Sequence, residues 1–131
     1  MISGYDHVAI TVADLDVSVP FYEKVLGAEV LHTHEIDGRV IVKGIRIGRA
    51  AMNMHQAGNG VDLVANTPLP GSQDLCFRWE GTVEEAKAQL EGCGVEVIEG
   101  PAPRVASNGK PAQSVYFRDP DGNLLELLAV T

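Results

Sequence analysis

The chain contains two copies of one segment. The first copy begins at Ser3 and reads SGYDHVAITVADLDVSVPFYEKVLGAEVL, and the second begins at Pro70 and reads PGSQDLCFRWEGTVEEAKAQLEGCGVEVI. A single offset, with no gap, aligns His7 with Asp74 and the run GAEV with the run GVEV. The apolar pattern between these points matches as well, which argues against chance similarity. Two copies of one supersecondary unit, each with a metal-capable side chain at the same strand position, predict a site shared between them.

The first copy predicts the order strand, helix and three further strands. Alternation of apolar and polar residues predicts the first strand, and the spacing of Val17, Phe21 and Val25 predicts one side of the helix. Asp14 or Asp16 would cap the helix, Gly27 would end it, and Pro20 would fall in its first turn. The turn Asp37-Gly38 predicts a hairpin. The predicted bounds are residues 5–12 for the first strand, 17–26 for the helix, and 29–35, 40–47 and 50–56 for the later strands.

The second copy predicts the same order again. Thr82 and Glu85 fit a capping box at the start of its helix. The Pro- and Gly-containing run Asp119-Pro120-Asp121-Gly122 predicts a tight turn before the last strand. A loop rich in Pro, Gly and Asn at residues 100–110 is expected to be mobile. The predicted strands are residues 74–79, 96–99, 113–118 and 123–130, and the helix is residues 83–92.

Length and composition favour one cytoplasmic domain spanning residues 1–131, with a first module at about 4–57, a linker at 58–71 and a second module at about 72–131. The two cysteines lack metal-type or redox-type spacing, which favours a reducing compartment. No signal peptide or membrane-spanning segment is expected. A net charge of −8 with scattered Lys and Arg argues against nucleic acid or an anionic membrane as a partner. It leaves a small-molecule substrate open.

Two segments carry a family resemblance: DHVAITVADLDVSVPFYEKVLGAEV and VYFRDPDGNLLELL. By these segments the chain resembles the vicinal oxygen chelate superfamily, which includes glyoxalase I, bleomycin-resistance proteins, fosfomycin-resistance enzymes and extradiol dioxygenases. The resemblance extends from His7 to Leu128. The runs MNMHQAGN, PGSQDLCF and FRDPDGNLLE are similar to those of small glyoxalase-domain proteins. The resemblance implies an α+β fold in which two βαβββ modules form a cupped mixed sheet around a divalent metal. It also implies a homodimer.

The resemblance places the metal ligands on the first and last strands of each module. His7 stands at the first-strand position of module one, and Glu126 stands at the last-strand position of module two. Leucines flank Glu126 on both sides, and a carboxylate in so apolar a strand needs a partner such as a metal. Asp74 stands where the superfamily often has His. It would bind the metal, hydrogen-bond a metal-bound water, or simply end a turn.

The fourth ligand position has two candidates, Asn53 and His55, which share a strand face because strand side chains alternate. The apolar residues around Asn53 match those around Glu126, so the pattern selects Asn53. Chemistry favours His55, because imidazole binds divalent transition metals far better than a neutral amide does. We take His55 as the ligand and Asn53 as the alternative. The set His7, His55, Asp74 and Glu126 would suit Fe, Mn, Ni or Zn as divalent ions.

Other polar and aromatic residues support weaker predictions. His32 and His34 share a strand face and would line the mouth of the pocket or form a solvated hairpin surface. Tyr116 would donate a hydrogen bond to a bound oxyanion. The alternative is ordinary packing of Tyr116, with Arg118 paired to Asp119 or Asp121. Trp79 is expected to be core or pocket wall.

Two kinds of function remain open at this point. One is a metal-dependent glyoxalase-like lyase or isomerase, in which the metal stabilises an enediolate and a carboxylate acts as general base. Bacterial glyoxalase I has a basic residue where this chain has Thr11, so the glutathione-linked reaction is disfavoured. Ring-cleaving dioxygenation needs Fe(II) and a second histidine ligand. The other kind is a metal-free protein that binds a drug or metabolite, as bleomycin-resistance proteins do; retention of His7 and Glu126 favours the metalloenzyme.

Overall fold

Each half of the chain forms one four-stranded mixed sheet and one helix, as described by a computed structural model of residues 1–131. Unit 1 is Met1–Ser72, and unit 2 is Gln73–Thr131. In unit 1 the elements are β1 (Val8–Val12), α1 (Leu15–Leu26), β2 (Glu29–Ile36), β3 (Arg39–Ile47) and β4 (Ala50–Gln56). In unit 2 they are β5 (Asp74–Trp79), α2 (Val83–Gly92), β6 (Glu99–Val105), β7 (Pro111–Arg118) and β8 (Leu124–Val130). The repeated order β-α-β-β-β confirms the predicted α+β class.

The sheet of unit 1 has the strand order β1-β4-β3-β2, with β1 parallel to β4 and the other pairs antiparallel. One face is covered by α1, which packs on β3 and β4. The core between them consists of buried apolar side chains from the helix and the sheet: Ile10, Val12, Leu15, Val19, Tyr22, Val25, Ile45, Met52 and Met54. The opposite face of the sheet, here called the open face of unit 1, carries the alternate residues.

The helix α1 begins earlier than predicted, because Asp14 is its N-cap and accepts a hydrogen bond from the backbone of Asp16. Pro20 therefore lies in the second turn, on the exposed side, and the expectation that it falls in the first turn was wrong. Of the three residues on the predicted side, Val25 is buried and Phe21 is half-buried, whereas Val17 is 52% exposed. Gly27 ends the helix in the left-handed region at φ 66°, as expected.

The sheet of unit 2 has the strand order β5-β8-β7-β6, again with its first pair parallel. The helix α2 begins with the predicted capping box between Thr82 and Glu85. Its buried side packs on β7 and β8. The core of this unit comprises Val83, Ala86, Leu90, Val115, Phe117, Leu125, Leu127 and Ala129. The opposite face is the open face of unit 2.

The loop expected at residues 100–110 is mostly a strand. β6 occupies Glu99–Val105 and pairs with β7, and only the residues from Ala106 to Lys110 form a turn. Two prolines in β6 are tolerated because β6 is the edge strand of its sheet, where a missing N–H breaks no ladder. Gly100 is required here: a Cβ at this position would lie 2.2 Å from the Ser114 carbonyl oxygen.

The predicted turn between β7 and β8 is confirmed, and hydrogen bonds to a buried side chain stabilise it. The buried Asp119 carboxylate accepts hydrogen bonds from the backbone and the side-chain amide of Asn123, and from the backbone of Asp121. Asn123, which is fully buried, in turn accepts a hydrogen bond from the backbone N–H of Gln73. This turn fixes the start of β8, two residues before Glu126. Neither helix of the chain has the length and apolar composition that crossing a lipid bilayer requires.

Candidate active site

A row of four polar side chains crosses the open face of unit 2. Cys76 on β5 lies opposite Glu126 on β8, and Glu126 lies opposite Tyr116 on β7. Arg104 on β6 completes the row, because its Nε donates a hydrogen bond of 2.7 Å to the Tyr116 hydroxyl. The Arg104 guanidinium also lies over the Tyr116 ring, 5.2 Å from the ring centre. Residues paired across neighbouring strands point to the same side, so one sheet face assembles the row.

Glu126 is the hydrogen-bond acceptor at the centre of this row. Burial, and then the charge and hydrogen bond of Glu126, raise the pKa of the Cys76 thiol to about 12. Burial and the same carboxylate raise the pKa of Tyr116, against the opposing effect of Arg104. Both neighbours therefore stay protonated at neutral pH, and each has a hydrogen that it can donate. A carboxylate has about four acceptor positions, so Glu126 keeps lone pairs for a further partner.

Positive charge surrounds the row on the same face. Every arginine of unit 2, namely Arg78, Arg104 and Arg118, lies at an open-face position of its strand. Arg118 does not pair with Asp119 or Asp121 as expected; its guanidinium donates to the Gly122 carbonyl oxygen at 3.2 Å. Of these arginines, Arg78 acts on the Cys76 thiol, where its charge opposes the effect of Glu126 on the pKa.

In unit 1 the predicted ligand His7 directly precedes β1. Alternation places it on the side of Ala9, which faces Asn53 across β4 and thus belongs to the open face. His7 Nδ1 lies 2.8 Å from the Asp6 carboxylate, an acceptor, so Nδ1 carries the proton. The lone pair of a neutral imidazole is then on Nε2. A carboxylate that orients a histidine in this way is the arrangement found behind many metal-binding histidines.

The strand register shows which residue of unit 1 corresponds to Glu126. The offset between the repeats takes Ala9 to Cys76, and the partner of Ala9 is Asn53 just as the partner of Cys76 is Glu126. His55 lies one pair further along the strand, on the same open face, opposite Thr11. Both candidates for the fourth ligand position therefore face the same way, and the choice between them stays a prediction.

The imidazole of His55 is half-buried and held by one neighbour. Its Nδ1 lies 3.4 Å from the side-chain amide nitrogen of Asn59, whose orientation is set by hydrogen bonds to the Ile41 carbonyl and from the Val61 N–H. Burial lowers the pKa of His55, which favours the neutral, metal-binding form. Gln56, the next residue, bonds the backbone of Leu15 and Ala13 and so anchors the end of β4 to the start of α1.

The predicted ligand set is divided between the units. His7 and His55 lie in unit 1, and Asp74 and Glu126 lie in unit 2, where Asp74 is exposed at the start of β5. Neither unit by itself brings three His, Cys, Asp or Glu side chains close enough to hold a metal ion. Each unit by itself offers donors that suit a divalent transition metal: in unit 1 the His7 imidazole oriented by Asp6, and in unit 2 the Glu126 carboxylate.

Sequence reasoning missed Cys76 and Arg104 as parts of the site. The spacing of Cys76 and Cys93 gives no signal for Cys76; its signal is its position two residues after Asp74, on the same strand face. Arg104 was hidden because its segment was expected to be a loop. In a strand at this place, side-chain alternation would have put Arg104 on the open face. The two prolines of β6 suggested a loop instead.

Comparison with known proteins identifies the family. The model of the Glyoxalase/Bleomycin resistance protein/Dioxygenase superfamily matches residues 4–127, and the chain belongs to this superfamily. It is 39% identical over 126 residues to glyoxalase domain-containing protein RDO1 of Mycosarcoma maydis, covering 96% of this chain and 68% of RDO1. It resembles the structure of VPC_CASS1 from the mobile metagenome of V. Pseudocholerae with a TM-score of 0.89 at 36% identity, covering 100% and 97% of the two chains.

Virulence protein STM3117 of Salmonella typhimurium is similar both in sequence and in structure. The sequences are 33% identical over 127 residues, covering 97% of this chain and 84% of STM3117. The crystal structure of STM3117 gives a TM-score of 0.86 and covers 100% of this chain and 99% of that chain. These proteins share the fold and the family, and their names do not state a reaction.

Members of the superfamily with named activities match at lower identity. They include an ethylmalonyl-CoA/methylmalonyl-CoA epimerase of Cereibacter sphaeroides, 30% identical over 132 residues with 97% and 98% coverage. A FosX fosfomycin resistance protein of Listeria monocytogenes, solved with Mn(II) and 1S,2S-dihydroxypropylphosphonic acid, gives a TM-score of 0.66 at 26% identity, with 100% and 93% coverage. Lactoylglutathione lyase from Agrobacterium tumefaciens gives a TM-score of 0.71 at 27% identity, with 98% and 94% coverage.

Proposed function

We propose that this protein is a metal-dependent glyoxalase-like enzyme, a lyase or isomerase acting on a small metabolite with two neighbouring oxygen atoms. A ring-cleaving dioxygenase is the second enzyme class within the same proposal. The observation that carries it is Glu126, a carboxylate that faces away from the helix-covered core, lies between Cys76 and Tyr116 on the neighbouring strands and has acceptor positions for a further partner. Relatives whose names state metal binding or enzymatic activity support it.

The proposed ligands are His7, His55, Asp74 and Glu126, with Asn53 as the alternative to His55. When bound, a divalent Fe, Mn, Ni or Zn ion would act as a Lewis acid toward the oxygen atoms of the substrate. Asp6 would keep the His7 ring in the orientation that leaves Nε2 free. Asp74 would bind directly or hydrogen-bond a water. Homodimer formation, which the family resemblance implies, belongs to the same proposal.

Tyr116 and Glu126 are the proposed catalytic side chains. The raised pKa of Tyr116 keeps its hydroxyl protonated, so it can donate a hydrogen bond to a substrate oxyanion. Arg104 supports this hydroxyl with a hydrogen bond and its positive charge. Glu126, when not engaged as a ligand, would accept a proton from the substrate.

The decisive experiment is metal analysis by mass spectrometry of protein purified without chelators. The wild type should contain about one divalent metal ion per chain, and His7→Ala and Glu126→Ala should each lose most of it. The matched control is His34→Ala, which removes an imidazole of the same open face that is outside the proposed set. Retention of the full metal content by both ligand variants would rule out the site.

One observation favours a second candidate, a metal-free protein that binds a cationic metabolite or drug. The chain carries a net charge of −8, which favours binding of an organic cation. In that case the protein would bind an organic cation with unchanged affinity after metal removal by a chelator, and Glu126→Gln would weaken that binding.

A further inference from the structure

We propose that His32 is a ligand-contacting residue of this site. Its imidazole lies on the open face of unit 1 beside Asn53 and would hydrogen-bond an oxygen atom of the small molecule bound there. This inference rests on the proposed function, because it assumes that a ligand with neighbouring oxygen atoms occupies the open face. It adds a residue from β2, a strand to which no ligand was assigned.

A β-bulge turns His32 toward the open face. Along β2, Val30 pairs with Ile45, but the next paired residue is His32, which lies opposite Gly44. Leu31 is therefore an extra residue in β2. In a regular strand Leu31 would lie opposite Gly44, and His32 would point to the face that α1 covers. Bulges of this kind redirect side chains and are frequent beside active sites.

The missing side chain of Gly44 makes room for the imidazole. A Cβ at position 44 would lie 2.1 Å from His32 Nε2 and 2.6 Å from both His32 Cδ2 and His32 Cε1. The outer edge of the ring thus occupies the space that any other residue at this position would fill. Gly44 has no left-handed φ that would require glycine. The close approach of His32 is the reason for a glycine here.

This location brings an imidazole next to Asn53. Gly44 and Asn53 are opposed residues of β3 and β4, so their side-chain positions are roughly 5 Å apart. The ring over Gly44 and the Asn53 amide therefore border the same patch of the open face. Asn53 is the residue that corresponds to Glu126 in the other unit. An imidazole can donate or accept a hydrogen bond, so it is suited to the oxygen atoms of a metabolite.

His34 provides a matched comparison within the same strand. It also points to the open face, but it lies opposite Val42, whose side chain occupies the space that is empty at Gly44. The two histidines thus share strand, face and chemistry and differ in the neighbour beneath the ring. If this hairpin face were only solvated, replacing either histidine would have the same effect on ligand binding. If a ligand contacts the ring over Gly44, replacing His32 would have the larger effect.

The test uses protein loaded with Zn(II), labelled with ¹⁵N at its four histidines, and acetohydroxamate as a probe with two neighbouring oxygen atoms. On probe addition, the His32 ring resonances should shift and the His34 resonances should stay unchanged, with assignment by His→Gln variants. His32→Gln and Gly44→Ala should each weaken probe binding by about tenfold, the effect of losing one hydrogen bond to a charged group. His34→Gln should leave probe affinity unchanged.

Gly44→Ala tests whether the position of the imidazole matters, because this variant keeps His32 but displaces its ring. It should fold normally, because the atoms that must move belong to an exposed side chain. Unchanged His32 resonances, equal effects of His32→Gln and His34→Gln, or a zinc-loaded protein that does not bind the probe would each overturn the role of His32 and leave metal binding intact. Failure to bind zinc at all would instead remove the proposed function.

Discussion

Cys76 and Glu126 lie directly opposite each other on the parallel strands β5 and β8, and the Glu126 carboxylate adds to the effect of burial in raising the pKa of the Cys76 thiol. The corresponding pair in unit 1 is Ala9 and Asn53, in the same register. The repeated halves therefore share a backbone arrangement and differ in the side chains at equivalent positions. A thiol and a carboxylate occupy one half, where the other half has a methyl group and an amide.

The Cys76 thiol should be unreactive at moderately alkaline pH. With a pKa of about 12, roughly one thiol in a thousand is ionised at pH 9, and only the thiolate is nucleophilic. Glu126→Gln removes the neighbouring negative charge, so the pKa of Cys76 should fall and its alkylation by iodoacetamide at pH 9 should accelerate. Mass spectrometry in a Cys93→Ser background measures the rate. A wild-type rate equal to that of free cysteine would contradict the described contact.

Arg104→Ala should raise the pKa of Tyr116 further. The hydrogen bond and the positive charge of Arg104 both favour the ionised phenol, so their loss favours the protonated form. Absorbance at the wavelength of tyrosinate, followed from neutral to strongly alkaline pH, reports the change, and Tyr116→Phe identifies its contribution among the three tyrosines. Arg104→Lys keeps the charge and should shift the pKa less. An identical titration of Arg104→Ala and wild type would show that the two side chains are not coupled.

His55→Gln should weaken metal binding more than Asn53→Ala does. Imidazole is the stronger ligand for divalent transition metals, and burial keeps His55 neutral. Removing a ligand or its hydrogen-bonded support typically lowers metal affinity by about 10- to 100-fold. Competition with a chromophoric chelator gives both affinities. The opposite ranking would identify Asn53, the residue in register with Glu126, as the ligand.

Asn123→Ala should destabilise the protein by about 2–4 kcal/mol, because it leaves buried hydrogen-bonding groups of Asp119 and Gln73 without this partner. The midpoint of urea unfolding measures the loss. Asn108→Ala is the control: Asn108 also accepts a backbone hydrogen bond in a turn, but it is exposed, so its replacement should cost less than about 1 kcal/mol. Equal losses would show that burial of the Asp119 turn contributes nothing.

Local signals account for the parts of the fold that were predicted correctly. The bounds of β4, β5 and α2 follow from alternation and from the capping box of Thr82, all of which depend on residues near in sequence. The Asp37-Gly38 hairpin was also predictable, because both residues adopt positive φ as a tight hairpin turn requires. The internal repeat then gave the order of the second half from that of the first.

The errors arose where pairing between distant residues decides the structure. β6 contains Pro101 and Pro103 and exists because it pairs with β7, so its composition alone suggested a loop. The missed role of Arg104 followed from that error. The bulge at Leu31 likewise has no signal in the sequence. Strand alternation counted without this extra residue would direct His32 to the wrong face of the sheet. The ligand set is a prediction from residue types, whereas the row of side chains around Glu126 required the register of four strands.

The bulge at Leu31 has a second consequence, because β2 is the outermost strand of its sheet. All eight of its residues are exposed, and several are large and apolar. A flat, regular edge of that length is a template on which another polypeptide can add a strand, the first step toward aggregation. The irregularities on either side of His32 interrupt the row of free backbone groups. The distortion that turns one imidazole toward the open face thus also makes this edge a poorer template for strand addition.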